Sequence, residues 1–133
     1  MKILILNWRD IEHPLTGGAE QSLFRHAVYW KKKGADVTWI SSSFPNAKKS
    51  EIINGIRMIR MGSHYTVHLL AAIYYRKQKN FDIIVDCFHF LPYFSPLYTN
   101  RHKIIALINE PAKNAWFKNI LFPVSVIGYL IEP

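Results

Sequence analysis

The four apolar residues Ile3-Leu4-Ile5-Leu6 constrain this chain more than any other stretch. A short, β-branched run without polar alternation suits an interior strand covered on both faces, as in a parallel sheet. Asn7 to Leu15 follows as a polar loop with Pro14 as a breaker. Gly17-Gly18 then opens a helical pattern running from about Gly18 to Lys33, with Leu23, Phe24, Ala27 and Val28 on one stripe. Glu20 lies in the first turn, Lys31-Lys32-Lys33 in the last, and Gly34 follows as a C-cap. This charge order complements the helix dipole. Asp36 to Ser41 reads as a second strand. Strand, helix and strand with short connections make a βαβ unit, so the two strands should be parallel.

The rest of the chain continues the alternation. Ser42 to Ser50 is a polar loop, and Ile52-Ile53, Asn54-Gly55 and Ile56 to Met61 read as a hairpin. Tyr65 to Lys79 is the next helix, with Val67, Leu70, Ala71 and Tyr74 on its apolar side and Arg76, Lys77 and Lys79 at its end. Phe81 to Asp86 is a buried strand, Cys87 to Asn100 an aromatic, proline-containing loop, and Lys103 to Ile108 a further strand. Asn109-Glu110-Pro111 turns away, and from Trp116 onward the pattern is apolar and helical in pieces. The fold class expected is α/β, a Rossmann-like parallel sheet with helices on both faces.

The chain has 133 residues, half of them apolar, which fits one domain with a real core. Its net charge of +8 suggests an acidic partner: nucleotide phosphates, nucleic acid or anionic lipid headgroups. Nucleic acid is disfavoured because the basic residues are scattered over helix ends and loops and no recognition module such as RNP1 is present. A single cysteine, Cys87, excludes a disulfide framework, and none of the six histidines has metal-ligand spacing, so no metal is expected. Dinucleotide, P-loop and nucleophile-elbow glycine motifs are missing. Only four strongly apolar residues precede Asn7, too few for a secretory signal. The best membrane-span candidate, Ile120 to Ile131, contains Pro123 and Gly128 and falls short of the ~18 residues required. A cytoplasmic protein is expected, with peripheral contact on the inner face of a membrane.

Chemistry then falls to the strand ends. In a doubly wound sheet the loops after successive strands share one edge, where ligands bind. That edge would gather Asn7, Trp8, Gly17, Gly18 and Glu20, then Asp86 and His89, then Asn109 and Glu110. Gly17 and Gly18 at a helix start suit phosphate, and the same pair also serves as a tight turn. Glu20 is a polar substrate contact or a partner for the helix dipole. Asp86 binds substrate or caps the next segment, and Asn109-Glu110 is a site or a plain turn. His89, between Phe88 and Phe90, is reactive or a core histidine.

Read together, the Lys2-Ile3-Leu4-Ile5-Leu6 strand, the Thr16-Gly17-Gly18-Ala19-Glu20 loop and the Gly34-Ala35-Asp36-Val37-Thr38 step resemble a family 4 glycosyltransferase. Ile53-Asn54-Gly55-Ile56-Arg57, Phe81-Asp82-Ile83-Ile84 and Ile108-Asn109-Glu110 continue the resemblance in order. It implies a retaining GT-B enzyme, with this chain as the N-terminal, acceptor-side domain. The substrates implied are a nucleotide-sugar donor and a sugar or lipid-linked acceptor, with no cofactor and no metal. Gly17 and Gly18 would face the donor phosphates, with Glu20 and Asp86 as further binding groups. The family's histidine at a later strand end maps to Asn109, followed by Glu110, with His89 a possible substitute. The resemblance also implies a missing C-terminal nucleotide-binding domain, an N-terminal domain incomplete at its end, and inactivity of residues 1–133 alone. The alternative is a non-catalytic, membrane-associated acceptor-binding subunit of a split glycosyltransferase.

Overall fold

A computed structural model describes residues 1–89 and 91–108. Among these described residues the fold is mixed α/β: six strands form one sheet in the order β3-β4-β2-β1-β5-β6, mostly parallel, with a helix on each face. β1 (Lys2–Leu6) is central and pairs in parallel with β2 (Asp36–Ser41) on one side and β5 (Ile83–Phe88) on the other. Its side chains alternate between two cores. Ile3 and Ile5 join the core under α1 (Gly18–Lys32), while Leu4 and Leu6 join the core under α2 (Val67–Gln78). All four are buried, as a strand covered on both faces requires.

Local signals explain the borders. α1 ends with Lys33 as C-cap, and Gly34 follows at φ +94, with Ala35 N–H reaching back to Trp30 C=O at 3.0 Å. Only glycine takes that left-handed position cheaply. β3 (Ser50–Ile53) and β4 (Ile56–Arg60) form an antiparallel hairpin through Asn54 and Gly55, both at positive φ, as a type I′ turn demands. β4 pairs in parallel with β2, which leaves β3 at the edge.

Two elements are shorter or shifted relative to the sequence reading. α2 begins at Val67 rather than Tyr65, because Ser63 and Thr66 bond each other's backbone and hold a turn ahead of the helix. Its buried side is Val67, His68, Ala71 and Tyr75, with Tyr74 half-buried and packed against the same core. β5 starts at Ile83 and continues to Phe88, past the expected end at Asp86. Phe81 is spent under α2, and Asp82 is tied to Lys2 through both backbone and side chain. β6 (Ile104–Ile108) follows a short 3-10 turn, Arg101–Lys103, and pairs in parallel with β5.

Candidate functional site

The strand order reverses direction between β1 and β5. The chain leaves β1 toward β2 on one side, and reaches β6 from β5 on the other. The crevice outside the carboxyl ends of those two strands is where open α/β sheets bind ligands.

The loop after β1 is pinned there by β2. Asn7 N–H donates to Ile40 C=O at 3.2 Å, and Ser42 Oγ donates to Trp8 C=O at 2.7 Å. Buried Trp39 donates its indole N–H to Arg9 C=O at 3.1 Å. A second anchor holds the next residue: Arg60 Nε donates to Asp10 Oδ2 at 2.7 Å and Ser41 Oγ donates to the same oxygen at 2.6 Å. Arg60 also pairs with Glu12 at 3.0 Å and with Glu51. Asp10 and Arg60 are almost fully buried, so this ion cluster clamps loop, β2, β3 and β4 together.

So held, Arg9 reaches across the crevice. Its Nη1 donates to Leu15 C=O at 2.7 Å, and its Nη2 lies 3.2 Å from Glu20 Oε1. The same Nη2 donates to His89 Nδ1 at 3.4 Å. Arginine is a donor only, so Nδ1 accepts and the ring carries its proton on Nε2. That nitrogen sits 2.7 Å from Glu20 Oε1, off the alignment of a full hydrogen bond. Glu20 Oε2 accepts the Gly17 N–H at 2.8 Å. This is half of a capping box; glycine has no side chain to close the other half. Burial alone would raise the Glu20 pKa; the His89 imidazole, the Gly17 N–H and Arg9 outweigh it and hold it down to about 2. Glu20 is therefore a fully buried carboxylate at the start of α1.

The structure brings Gly17, Gly18, Glu20 and His89 together and adds Arg9. The Gly17 N–H is already used by Glu20, so a ligand would meet the orphan donors of Gly18, Ala19 and Glu20 instead. Neither glycine is demanded by backbone strain, since Gly17 is extended and Gly18 begins the helix. A Cβ at Gly18 would meet nothing within 4 Å, so glycine leaves open space before the helix start. Three buried side-chain atoms of the β1 loop, Asn7 Nδ2, Arg9 Nε and Thr16 Oγ1, have no hydrogen-bond partner among the described residues. On the other flank Trp8 stacks on His64 at 3.9 Å and meets the edge of His13 at 5.2 Å. Burial lowers the pKa of both histidines.

Of the two roles read for Asp86, substrate contact and cap of the next segment, its contacts fit the cap. It lies inside β5, opposite Leu6, because that strand runs two residues past it to Phe88. Its Oδ1 accepts the Tyr93 N–H at 3.1 Å, and its Oδ2 accepts the Ser95 hydroxyl at 2.5 Å. Asp86 therefore ties down the aromatic loop, the capping alternative. Asn109 and Glu110 lie outside the described residues. Arg9 was the residue that sequence reasoning missed; its signal was a lone basic side chain just past the end of a strand, opposite in charge to Glu20. Among the described residues no group of His, Cys, Asp and Glu could hold a metal, and no helix is long and apolar enough to cross a membrane. No protein-family model and no curated protein matches the chain.

Proposed function

We propose that this chain is the acceptor-side, Rossmann-like half of a retaining glycosyltransferase of GT-B architecture. The observation that carries the reading is the convergence of Arg9, Glu20 and His89 on the open start of α1, at the switch point between β1 and β5. Breaking a sugar–diphosphate bond places growing negative charge on the departing phosphate. The free N–H groups of Gly18 and Ala19, the helix dipole and the Arg9 guanidinium would meet that charge. Glu20 fixes Arg9 and His89 in place and offsets the Arg9 charge. The crevice thus has only a modest positive balance and would bind a nucleotide-sugar weakly until a second domain closed over it. An acceptor hydroxyl would approach from this domain's side, within reach of the His89 ring.

Amide and imidazole NMR of residues 1–133, titrated with a panel of nucleotide-sugars and with pyrophosphate, tests this reading. Weak binding is expected, with shifts concentrated at Arg9, Gly17 to Glu20 and His89, and lost in Arg9→Ala. Shifts scattered over the surface, or a response to pyrophosphate equal to that for every nucleotide-sugar, would refute a sugar-nucleotide site.

A further inference from the structure

The loop after β1 is closed by a hydrogen bond that only a neutral imidazole can make. Leu15 N–H donates to His13 Nδ1 at 3.1 Å, and Thr16 N–H donates to His13 C=O at 2.9 Å. A backbone N–H is a donor, so Nδ1 supplies the lone pair and the neutral ring carries its proton on Nε2. The contact reproduces an Asx turn, in which a side chain accepts the N–H two residues on. Leu15 also holds Arg9: its C=O accepts Arg9 Nη1 at 2.7 Å. One turn thus joins the His13 ring to the guanidinium of the crevice.

His13 is 8% exposed and lies edge-on to Trp8 at 5.2 Å and to Phe44 at 5.3 Å. Each of these rings already carries a guanidinium at 4.8 Å, Arg9 over Trp8 and Arg60 over Phe44. The charged groups facing His13 are Arg9 and Asp10 of its own loop, Glu20 of α1 and Arg60 of β4; His64, after β4, is a titratable neighbour. Both carboxylates are already paired, Asp10 with Arg60 at 2.7 Å and Glu20 with Arg9 at 3.2 Å. Burial is the main reason the His13 pKa lies below the ordinary 6.5; Asp10 and Glu20 oppose the shift, and Arg9 and Arg60 add to it. The neutral, accepting ring is therefore the form present at neutral pH.

We infer that His13 is a proton-operated latch: on acidification Nδ1 is protonated, Leu15 N–H loses its acceptor, the turn from His13 to Thr16 opens, and Arg9 gives up Leu15 C=O. Protonated Nδ1 and the Leu15 N–H are both donors, so they cannot keep facing each other. Leu15 is 62% exposed, which leaves the turn free to move outward. Arg9 keeps Glu20 and gains a spare donor at Nη1, beside the start of α1. Acid thus raises the capacity of the crevice for an anion, whatever reaction occurs there.

NMR of the 133-residue chain between about pH 7.5 and about pH 5 tests the latch, a range in which histidine titrates. Glu20, held down to about 2, stays ionised throughout. The His13 imidazole should titrate with a midpoint below 6.5, and the Leu15 amide and Arg9 guanidinium signals should move at that same midpoint. The Leu15 amide should also lose about fivefold in exchange protection, the worth of one hydrogen bond. His13→Asn offers the Leu15 N–H an acceptor that does not titrate, so its Leu15 and Arg9 signals should stay constant with pH. A His13 that remains neutral across the range overturns the inference, as does one that titrates with neither Leu15 nor Arg9 following. Both are read on the parent chain, so the test stands even if the variant fails to fold. An Arg9 response that persists in His13→Asn would also overturn it, moving the sensor to His64.

Discussion

Glu20→Gln isolates the charge at the centre of the crevice. The amide keeps the shape and can still accept the Gly17 N–H, but it removes the anion beside Arg9 and His89. The folded carboxyl is held from 4.5 down to about 2. At about 1.36 kcal/mol per pH unit that corresponds to about 3 kcal/mol. Screening at partly exposed Arg9 lowers the expected loss to about 2 kcal/mol. The sign follows from the depressed pKa: the stabilisation is fully present above the ordinary carboxylate value of 4.5 and is lost as pH falls from there toward 2. Urea unfolding followed by tryptophan fluorescence suits the measurement, since Trp39 is fully buried. Parent and variant should differ by about 2 kcal/mol at neutral pH, and the gap should close between pH 4.5 and 2. A gap that does not change with pH, or no gap at neutral pH, would refute the charged network at α1.

Three further outcomes follow from other parts of the fold. Arg60→Ala leaves Asp10 buried without its cation and should cost about 3–5 kcal/mol in urea unfolding, a large part of the about 5–15 kcal/mol of a typical domain; a loss under about 1 kcal/mol would show that the cluster does not clamp the loop. Burial lowers the pKa of His13, His64 and His68, so the unfolded chain takes up more protons below pH 6.5 and stability should fall as pH drops through that value. His68 has two ring nitrogens without partners among the described residues and packs 4.4 Å from Tyr93, so His68→Phe should flatten that pH dependence without loss of stability at neutral pH; an unchanged acid slope would contradict this. The Cys87 thiol is buried, and burial pushes its pKa well up; it should resist a thiol-exchange reagent at about pH 8 until the chain is unfolded, and fast native labelling would show that β5 opens readily.

Much of the fold was legible because its causes are local. The continuous apolar run of Ile3 to Leu6, the left-handed glycine after α1 and the Asn54-Gly55 turn each act over a few residues, and each element they predicted is present. The parallel pairing of β1 and β2 follows from a short βαβ connection. Half of the crevice was also readable, since a glycine pair and an acid at a helix start are adjacent in sequence.

Register and long-range contact decided the rest. β5 outruns its hydrophobic run because backbone pairing with β1 and β6, not side-chain pattern, sets where a strand ends; of the two readings of Asp86 this favoured the loop anchor. Arg9 meets His89 from 80 positions away, and Arg60 meets Asp10 from 50. No periodicity encodes such meetings, because they depend on which strands lie side by side. The sequence by itself determined the strands, helices, turns and the open start of α1. Only the tertiary structure placed Arg9 and His89 on Glu20, because that depends on which elements lie side by side.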